Sequence, residues 1–149
     1  MANEATTYLE HRILNFIFKN NVQVGGTNFG SGNSNGLGND IFVGLATAAS
    51  DPEAGSVTEA NYTNYARQQV AAASWTLASS SSDAQTCKNT NAIEFPASGG
   101  GGDDAITHVF VADASSSGNL LFVGTITNRT ISTGDIFRIN AEQLIITAT

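Results

Sequence analysis

This chain has very few of the residues that bind metals or form cross-links. Its 149 residues include one cysteine, two histidines and one methionine. A single cysteine excludes an internal disulfide, and Cys87 has no neighbouring ligand at a metal-binding spacing. We therefore expect no metal and no cofactor, with Cys87 as a small thiol in the core.

Charge is also scarce, and most of it is negative. Charged residues make up 13% of the chain, about half of the usual ~25%. There are 13 acidic and 6 basic residues, which give a net charge of −7. The basic residues are scattered and form no stripe, so we expect no nucleic-acid partner. No apolar run approaches the ~18 residues that span a membrane, and no secretory signal is visible, so no membrane association is expected.

Catalytic signatures are missing as well. The chain contains neither a Gly-x-Ser-x-Gly elbow nor a His-Glu-x-x-His motif. His11 falls in a predicted helix and His108 in a predicted strand, where a paired sheet residue is favoured over a catalytic base. The glycine-rich residues 30–38 precede a strand rather than a helix, which argues against a phosphate loop. We expect that the chain is not an enzyme.

What the sequence has instead is a ladder of short apolar runs bounded by Gly, Ser, Asn or Asp. Such runs are typical of antiparallel strands joined by tight turns. We predict a mainly β fold, an antiparallel β-sandwich of jelly-roll type, with one N-terminal α-helix and long Gly/Asn/Ser-rich loops. The predicted strands lie within residues 41–45, 65–71, 74–78, 91–96, 106–113, 119–127, 135–139 and 144–148. Residues 46–61 and 128–134 are predicted as turn-rich connections.

The first twenty residues differ from the rest. Leu9, Ile13, Phe16 and Ile17 fall on one face at helical spacing, which predicts a helix over residues 4–19. This apolar stripe either packs on its own domain or docks onto a partner subunit, and both alternatives stay open at this point. For the second alternative the four residues form a candidate partner interface.

Residues 25–40 are rich in glycine and asparagine and predict a flexible loop or arm. Phe29 is an isolated aromatic within it, which either anchors in a neighbour's pocket or folds back on its own domain. Asn33 and Asn35 are further candidate contacts. The predicted organisation is a single domain with a helical arm over 1–24, this loop over 25–40, and a β-sandwich over 41–149.

The order of several short phrases resembles a family of small structural proteins of tailed-phage virions, which includes tail-fibre-like proteins and capsid cement or decoration proteins. The resemblance spans about residues 4–148. It rests on the phrases Phe42-Val-Gly-Leu-Ala46, Ala49-Ser-Asp-Pro52, Asn64-Tyr-Ala-Arg-Gln68, Ala92-Ile-Glu-Phe-Pro96, Ile106-Thr-His-Val-Phe-Val-Ala-Asp113, Gly118-Asn-Leu-Leu-Phe-Val-Gly124 and Ser132-Thr-Gly-Asp-Ile-Phe137.

The resemblance implies a virion structural protein, assembled in the host cytoplasm. Capsid cement is the favoured role, with the major capsid protein or other virion proteins as partners and a homo-oligomer, a trimer, as the working unit. The alternative is a tail or tail-fibre-associated protein that takes part in host attachment. The family carries no catalytic motif to transfer to this chain.

Overall fold

The computed structural model describes residues 6–19, 23–24, 27–28, 41–78, 85–101 and 104–148. Within these ranges all strand pairings are antiparallel, and the α-helix lies at the N-terminal end. The predicted mainly β fold with an N-terminal helix is therefore confirmed, while the jelly-roll arrangement stays a prediction. The elements are α1 (Thr7–Lys19), β1 (Gln23–Val24), β2 (Thr27–Asn28), β3 (Ile41–Asp51), β4 (Ser56–Glu59), β5 (Gln68–Val70), a 3₁₀ turn (Ala72–Ser74), β6 (Trp75–Leu77), β7 (Gln85–Asn89), β8 (Ile93–Glu94), β9 (Asp104–Ala112), β10 (Leu120–Ile131), β11 (Arg138–Ile139) and β12 (Ile145–Ala148).

The described residues fall into two compact units. Unit 1 lies within Met1–Asn39, Ala71–Asn91 and Asn140–Thr149, and unit 2 lies within Asp40–Val70 and Ala92–Ile139. Among the described residues each unit contains a two-stranded sheet, β1-β2 in unit 1 and β11-β8 in unit 2, and a larger sheet, which is described separately below. The sequential division into 1–24, 25–40 and 41–149 stays a prediction.

The main sheet of unit 2 has the strand order β10-β9-β3-β4, and β5 pairs with the first residues of β3. Apolar side chains on β3 and β9 form its core, where Val43 pairs with Val111 and Leu45 pairs with Val109. Register shifts near Ala46 and Ala49 interrupt the pairing of β3 with β4, and such bulges bend a strand. Strands β4 and β10 also contribute to one apolar cluster, made of Ala46, Phe110, Ala112, Val57, Leu120 and Val123.

Gly44 leaves room for the fully buried Phe110 ring of this cluster. A Cβ atom at residue 44 would lie 2.1 Å from Phe110 Cζ, far inside van der Waals contact. Only glycine therefore lets the two paired strands keep this aromatic ring in place.

The sheet of unit 1 has the order β12-β7-β6, and α1 packs on it. The inward side of β7 carries Gln85, Cys87 and Asn89, all fully buried. The Trp75 ring from β6 lies 4.6 Å from the Phe18 ring of the helix, measured between centroids. The small core of unit 1 therefore combines large aromatic rings with buried amides.

Three parts of the strand prediction are wrong. β3 continues to Asp51 and β4 occupies residues 56–59, where connections were expected. β10 continues through Ile131, so the expected connection over 128–134 begins only after it. β7 was not predicted at all. In each case exposed or polar side chains replace the apolar alternation on which the prediction depended.

Candidate interaction surface and its supporting network

The predicted partner interface lies mainly on α1. Thr6 begins the helix: its backbone carbonyl accepts a hydrogen bond from Glu10 N at 3.0 Å, and its hydroxyl lies 3.4 Å from Leu9 N. The helix runs over Thr7–Lys19, close to the predicted residues 4–19.

The helix contacts its own unit through a face that the sequence did not single out. Leu14 and Phe18 on that face are 1% exposed, and Glu10 is 8% exposed. His11 Nδ1 lies 2.8 Å from Gln85 Oε1 of β7, within hydrogen-bond distance. Lys19 Nζ donates to the carbonyl of Ala72 at 3.2 Å. The helix therefore packs on its own unit through positions 10, 14 and 18, which the predicted stripe does not include.

The predicted stripe stays largely accessible. Leu9 is 37% exposed and Ile13 is 41% exposed, whereas Phe16 and Ile17 are half-buried. The four side chains lie on one side of α1, as the spacing predicted, and this set is called the outer stripe below. Its role as a partner interface stays a prediction. Phe29, Asn33 and Asn35 lie outside the described residues, and their role as contacts stays a prediction as well.

A polar network in unit 2 was missed by the sequence analysis. The Arg67 guanidinium forms a two-pronged ion pair with Glu59, with Nε–Oε1 and Nη2–Oε2 distances of 2.8 Å. The Tyr65 hydroxyl donates to Glu59 Oε1 at 2.9 Å and accepts from Leu45 N at 2.9 Å. The Arg67 side chain is only 7% exposed, and its guanidinium lies 5.0 Å from the centroid of the Phe110 ring. A buried charge of this kind is retained because every side of it is paired or packed.

Contacts within this network shift the pKa values of Arg67 and Tyr65. The hydrogen bonds to Glu59 raise the pKa of Arg67 above its ordinary value, despite the opposing effect of burial. Burial also raises the pKa of Tyr65, so the hydroxyl remains a donor at physiological pH. The network therefore acts as a fixed brace.

This brace holds the connection between β9 and β10. Arg67 Nη1 donates to the carbonyls of Ala114 and Ser117 at 2.9 and 2.8 Å. At the base of the connection, Asp113 accepts hydrogen bonds from the backbone and side chain of Asn119, which lower its pKa. Ser117 adopts a left-handed backbone with φ of 52°. We call residues 114–118 the hairpin tip; its backbone is preorganised although residues 115–118 are exposed.

A weak signal for this network was present in the sequence. Asn64-Tyr-Ala-Arg-Gln68 is one of the phrases on which the family resemblance depends. An arginine in a chain so poor in basic residues indicates a specific side-chain contact. That its contacts are Glu59 and two loop carbonyls could not be predicted without the fold.

The structure also shows where Cys87 and His108 lie, the two residues for which a structural role was preferred over a reactive or catalytic one. Cys87 is fully buried, and burial raises its pKa to about 12, which confirms a core thiol. His108 pairs with Ala46 and Thr125 across two neighbouring strands, as expected for a sheet residue.

Across residues 6–19, 23–24, 27–28, 41–78, 85–101 and 104–148, no group of three or more His, Cys, Asp or Glu residues could hold a metal ion. In that same part of the chain, no helix is long and apolar enough to cross a membrane.

Comparison with known families identifies the family of this chain. A family model described as podophage GP4 fiber I protein gp80 matches residues 4–147. The chain belongs to this family. It is thus a structural protein of a tailed-phage virion, as the resemblance of its short phrases predicted. No match is found among curated proteins.

Proposed function

We propose that this chain is a fibre component of the virion, tail or tail-fibre-associated, that contributes to host attachment. The observation that supports the proposal is the family match over residues 4–147, because the family is described by a fibre protein of a podophage. The fold agrees with this role, since braced antiparallel sheets resist deformation without metals or cross-links in the described residues.

Capsid cement was the favoured role on sequence grounds. A small, charge-poor β protein suits both a capsid surface and a fibre, so the fold does not choose between them. The family is described by a fibre protein, which favours the fibre role, and for that reason we place this role before capsid cement.

The proposed role is structural rather than catalytic. The most densely connected ionisable groups, Glu59, Tyr65 and Arg67, are engaged with each other and with backbone carbonyls. The thiol of Cys87 is buried and protonated at neutral pH. Glu59, Tyr65 and Arg67 therefore stiffen unit 2, and the hairpin tip is an exposed, preorganised part of that unit.

The proposal is tested by counting and locating the protein in purified virions. Quantitative mass spectrometry gives its copy number relative to the major capsid protein, and gold-labelled antibodies in electron microscopy give its position. A handful to a few dozen copies on an appendage is the expected result. Hundreds of copies in a fixed ratio to capsid subunits, with label over the head, would establish cement instead.

A second measurement tests the attachment part of the proposal. Purified protein added in excess should compete with virions for the host surface and slow adsorption. A matched sample with Arg67→Met, in which the hairpin tip loses its brace, serves as a comparison once circular dichroism shows that it is folded. Adsorption unaffected by the wild-type protein would remove host attachment from the proposal while leaving the fibre location untouched.

A further inference from the structure

The hairpin tip is an exposed loop that is held by a buried charge. The Arg67 side chain is only 7% exposed, yet its Nη1 donates to the tip carbonyls of Ala114 and Ser117. Glu59 fixes the same guanidinium through two further bonds. A charge in a protein interior is costly unless its contacts compensate for the lost water. Part of that compensation comes here from a loop at the surface, whose conformation is fixed in return.

The backbone of the tip adopts conformations that few residues tolerate. Ser117 has a φ of 52°, in the left-handed region that residues other than glycine seldom occupy. Gly118 follows with a φ of 72°, and a Cβ atom there would lie 2.5 Å from Asp113 Oδ1 and 2.6 Å from Ala114 Cβ. Conformations of this kind persist where the surroundings enforce them, and they are frequent in ligand-binding segments. A loop that is already ordered loses little entropy when it binds a ligand.

The polar groups of the tip are available to such a ligand. Within the described part of the chain, the hydroxyls of Ser115, Ser116 and Ser117 form no hydrogen bond, and the backbone N–H groups of residues 115–118 have no acceptor. Two of the tip carbonyls, by contrast, already accept from Arg67. The remaining groups are therefore richer in donors than in acceptors, and a ligand that displaces water from them has to offer oxygen acceptors.

The chemistry around the tip selects among acceptor-rich ligands. The chain carries a net charge of −7 and the Asp113 carboxylate lies at the base of the tip, so a polyanion is repelled. Protein interfaces depend on large anchors such as Trp, Tyr and Arg, whereas residues 114–118 are Ala, Ser and Gly. A neutral carbohydrate presents closely spaced hydroxyl and ring oxygens without charge. We infer that the hairpin tip binds a neutral carbohydrate of the host surface.

This inference rests on the proposed function, because it names the ligand class for host attachment. Its test measures the concentration of fluorescently labelled full-length chain that half-saturates cells of the host. Periodate, which cleaves sugar rings between adjacent hydroxyls, should abolish binding when cells are treated beforehand, whereas protease digestion should leave binding intact. Binding should also persist in about 1 M NaCl, where the Debye length is ~3 Å, because uncharged contacts are not screened.

A first pair of variants tests the hydroxyls. Ser115→Ala combined with Ser116→Ala should raise the half-saturating concentration about fivefold to a hundredfold, since two neutral hydrogen bonds are lost. The melting temperature should stay unchanged, because these hydroxyls have no partner in the described structure. Ser132→Ala combined with Thr133→Ala is the matched control: both residues are exposed but follow β10 at its other end. This control should bind like the wild-type chain.

A second pair of variants tests the shape of the tip. Gly118→Ala keeps every hydroxyl, but the added methyl group collides with Asp113 and Ala114, so the tip has to change its conformation. Gly134→Ala is the control, because Gly134 also has a positive φ, of 89°, and a Cβ atom there meets nothing within 4 Å. Both variants carry the strain of a left-handed alanine, so only Gly118→Ala should weaken binding. Circular dichroism shows that both are folded.

The outcomes separate this inference from the proposed function. A wild-type chain that does not bind host cells would remove both host attachment and its carbohydrate ligand. Binding that is as strong in the tip variants as in their controls would overturn the hairpin tip as the site and leave attachment in place. Loss of binding after protease but not after periodate would replace the carbohydrate with a protein receptor, and loss in about 1 M NaCl would indicate a charged ligand.

Discussion

Unit 1 and unit 2 are stabilised by different kinds of buried group. Unit 2 has long paired strands with apolar residues on its inner side, and the Glu59–Arg67 ion pair holds a connection in place. Unit 1 has a helix packed on a sheet of three short strands, and its buried set includes the amides of Gln85 and Asn89. The apolar pattern therefore specifies most of unit 2, whereas unit 1 depends on buried hydrogen-bonded side chains as well as on its aromatic rings.

This difference shows where each unit is most sensitive to substitution. An apolar core distributes its stabilisation over many contacts, so most single changes remove a part of it. A buried amide concentrates several hydrogen bonds in one side chain, and its loss leaves backbone groups without partners. We therefore expect the largest effect of any polar substitution at Asn89.

Asn89→Leu should destabilise the protein by about 3–5 kcal/mol. Asn89 Nδ2 donates to the carbonyls of Asn91 and Asn140 at 2.7 and 2.9 Å, and Oδ1 accepts from Leu144 N at 2.9 Å. Leucine has nearly the same size but makes none of these three hydrogen bonds. The Asn140 carbonyl keeps its bond from Gln143 N at 3.2 Å, whereas the Asn91 carbonyl and Leu144 N lose the bonds described here, at a cost of about 1–3 kcal/mol for each buried group left without a partner. Urea unfolding monitored by Trp75 fluorescence measures the change.

Thr76→Val provides the matched control in the same sheet. Its hydroxyl lies 2.8 Å from that of Thr90, but the pair is exposed, so water replaces the lost bond. We expect a change below about 1 kcal/mol. If Asn89→Leu costs no more than this control, the buried amide does not hold unit 1 together.

Arg67→Met should destabilise unit 2 by about 2–4 kcal/mol. Methionine keeps the apolar stem against Phe110 but leaves Glu59 without its partner, and loses both bonds to the hairpin tip. Removing one partner of a buried ion pair costs about 3–5 kcal/mol, and Glu59 is 32% exposed, so water reduces the penalty. Hydrogen exchange of the Asn119 amide should also rise, because the connection loses its brace.

Two further arginine variants sharpen the result. Arg67→Lys keeps the charge but not the two-pronged geometry, so it should recover only a part of the loss. Arg129 also lies near an aromatic ring, 5.3 Å from Phe137, but it is exposed. Arg129→Met should therefore change the free energy of unfolding by less than about 1 kcal/mol. Equal effects at both arginines would contradict the role of the Arg67 network.

The contrast also explains what the sequence could predict. The alternation in Ile106–Asp113 identified β9, because its buried side chains are apolar. β7 was missed because two of its three inward side chains, Gln85 and Asn89, are amides. Apart from the nearby Asn91 carbonyl, the hydrogen-bond partners described for them come from the helix and from residues 140–144, which are distant in sequence. No local pattern can show that a polar side chain has such partners.

The helix shows the same limit for the candidate site. Its position and length were predicted, as was the outer stripe of Leu9, Ile13, Phe16 and Ile17. The contact with unit 1 was not, because Glu10 lies on the buried side and disrupts the apolar pattern there. The Arg67 network was missed for a related reason: a scattered arginine shows no pairing in sequence, although Glu59 is only eight positions away.

Cys87 provides a smaller and more local test of unit 1. The thiol is fully buried between neighbouring strands, and burial raises its pKa to about 12. Iodoacetamide at pH 8 should therefore react only through opening of unit 1, and the rate should rise in Asn89→Leu. Because the folded pKa is above the unfolded one of about 8.5, this group stabilises the fold below pH 8.5 and progressively less towards pH 12. Rapid alkylation of the native wild-type protein would contradict burial of the thiol.

Substitution of Asp113 in unit 2 should change the free energy of unfolding least. The contribution of Asp113 depends on pH in the direction opposite to that of Cys87. The hydrogen bonds from Asn119 lower its pKa, so its contribution is present above the unfolded value of about 4 and is lost as the pH falls through the folded value. Asp113→Ala should reduce the free energy of unfolding by about 1 kcal/mol or less at pH 7, because the carboxylate is partly exposed. The difference between variant and wild type should shrink on acidification. If it stays constant from pH 7 to pH 3, the stabilisation comes from the geometry of the turn rather than from the charged carboxylate, and the brace of Arg67 then acts on a connection that is already fixed.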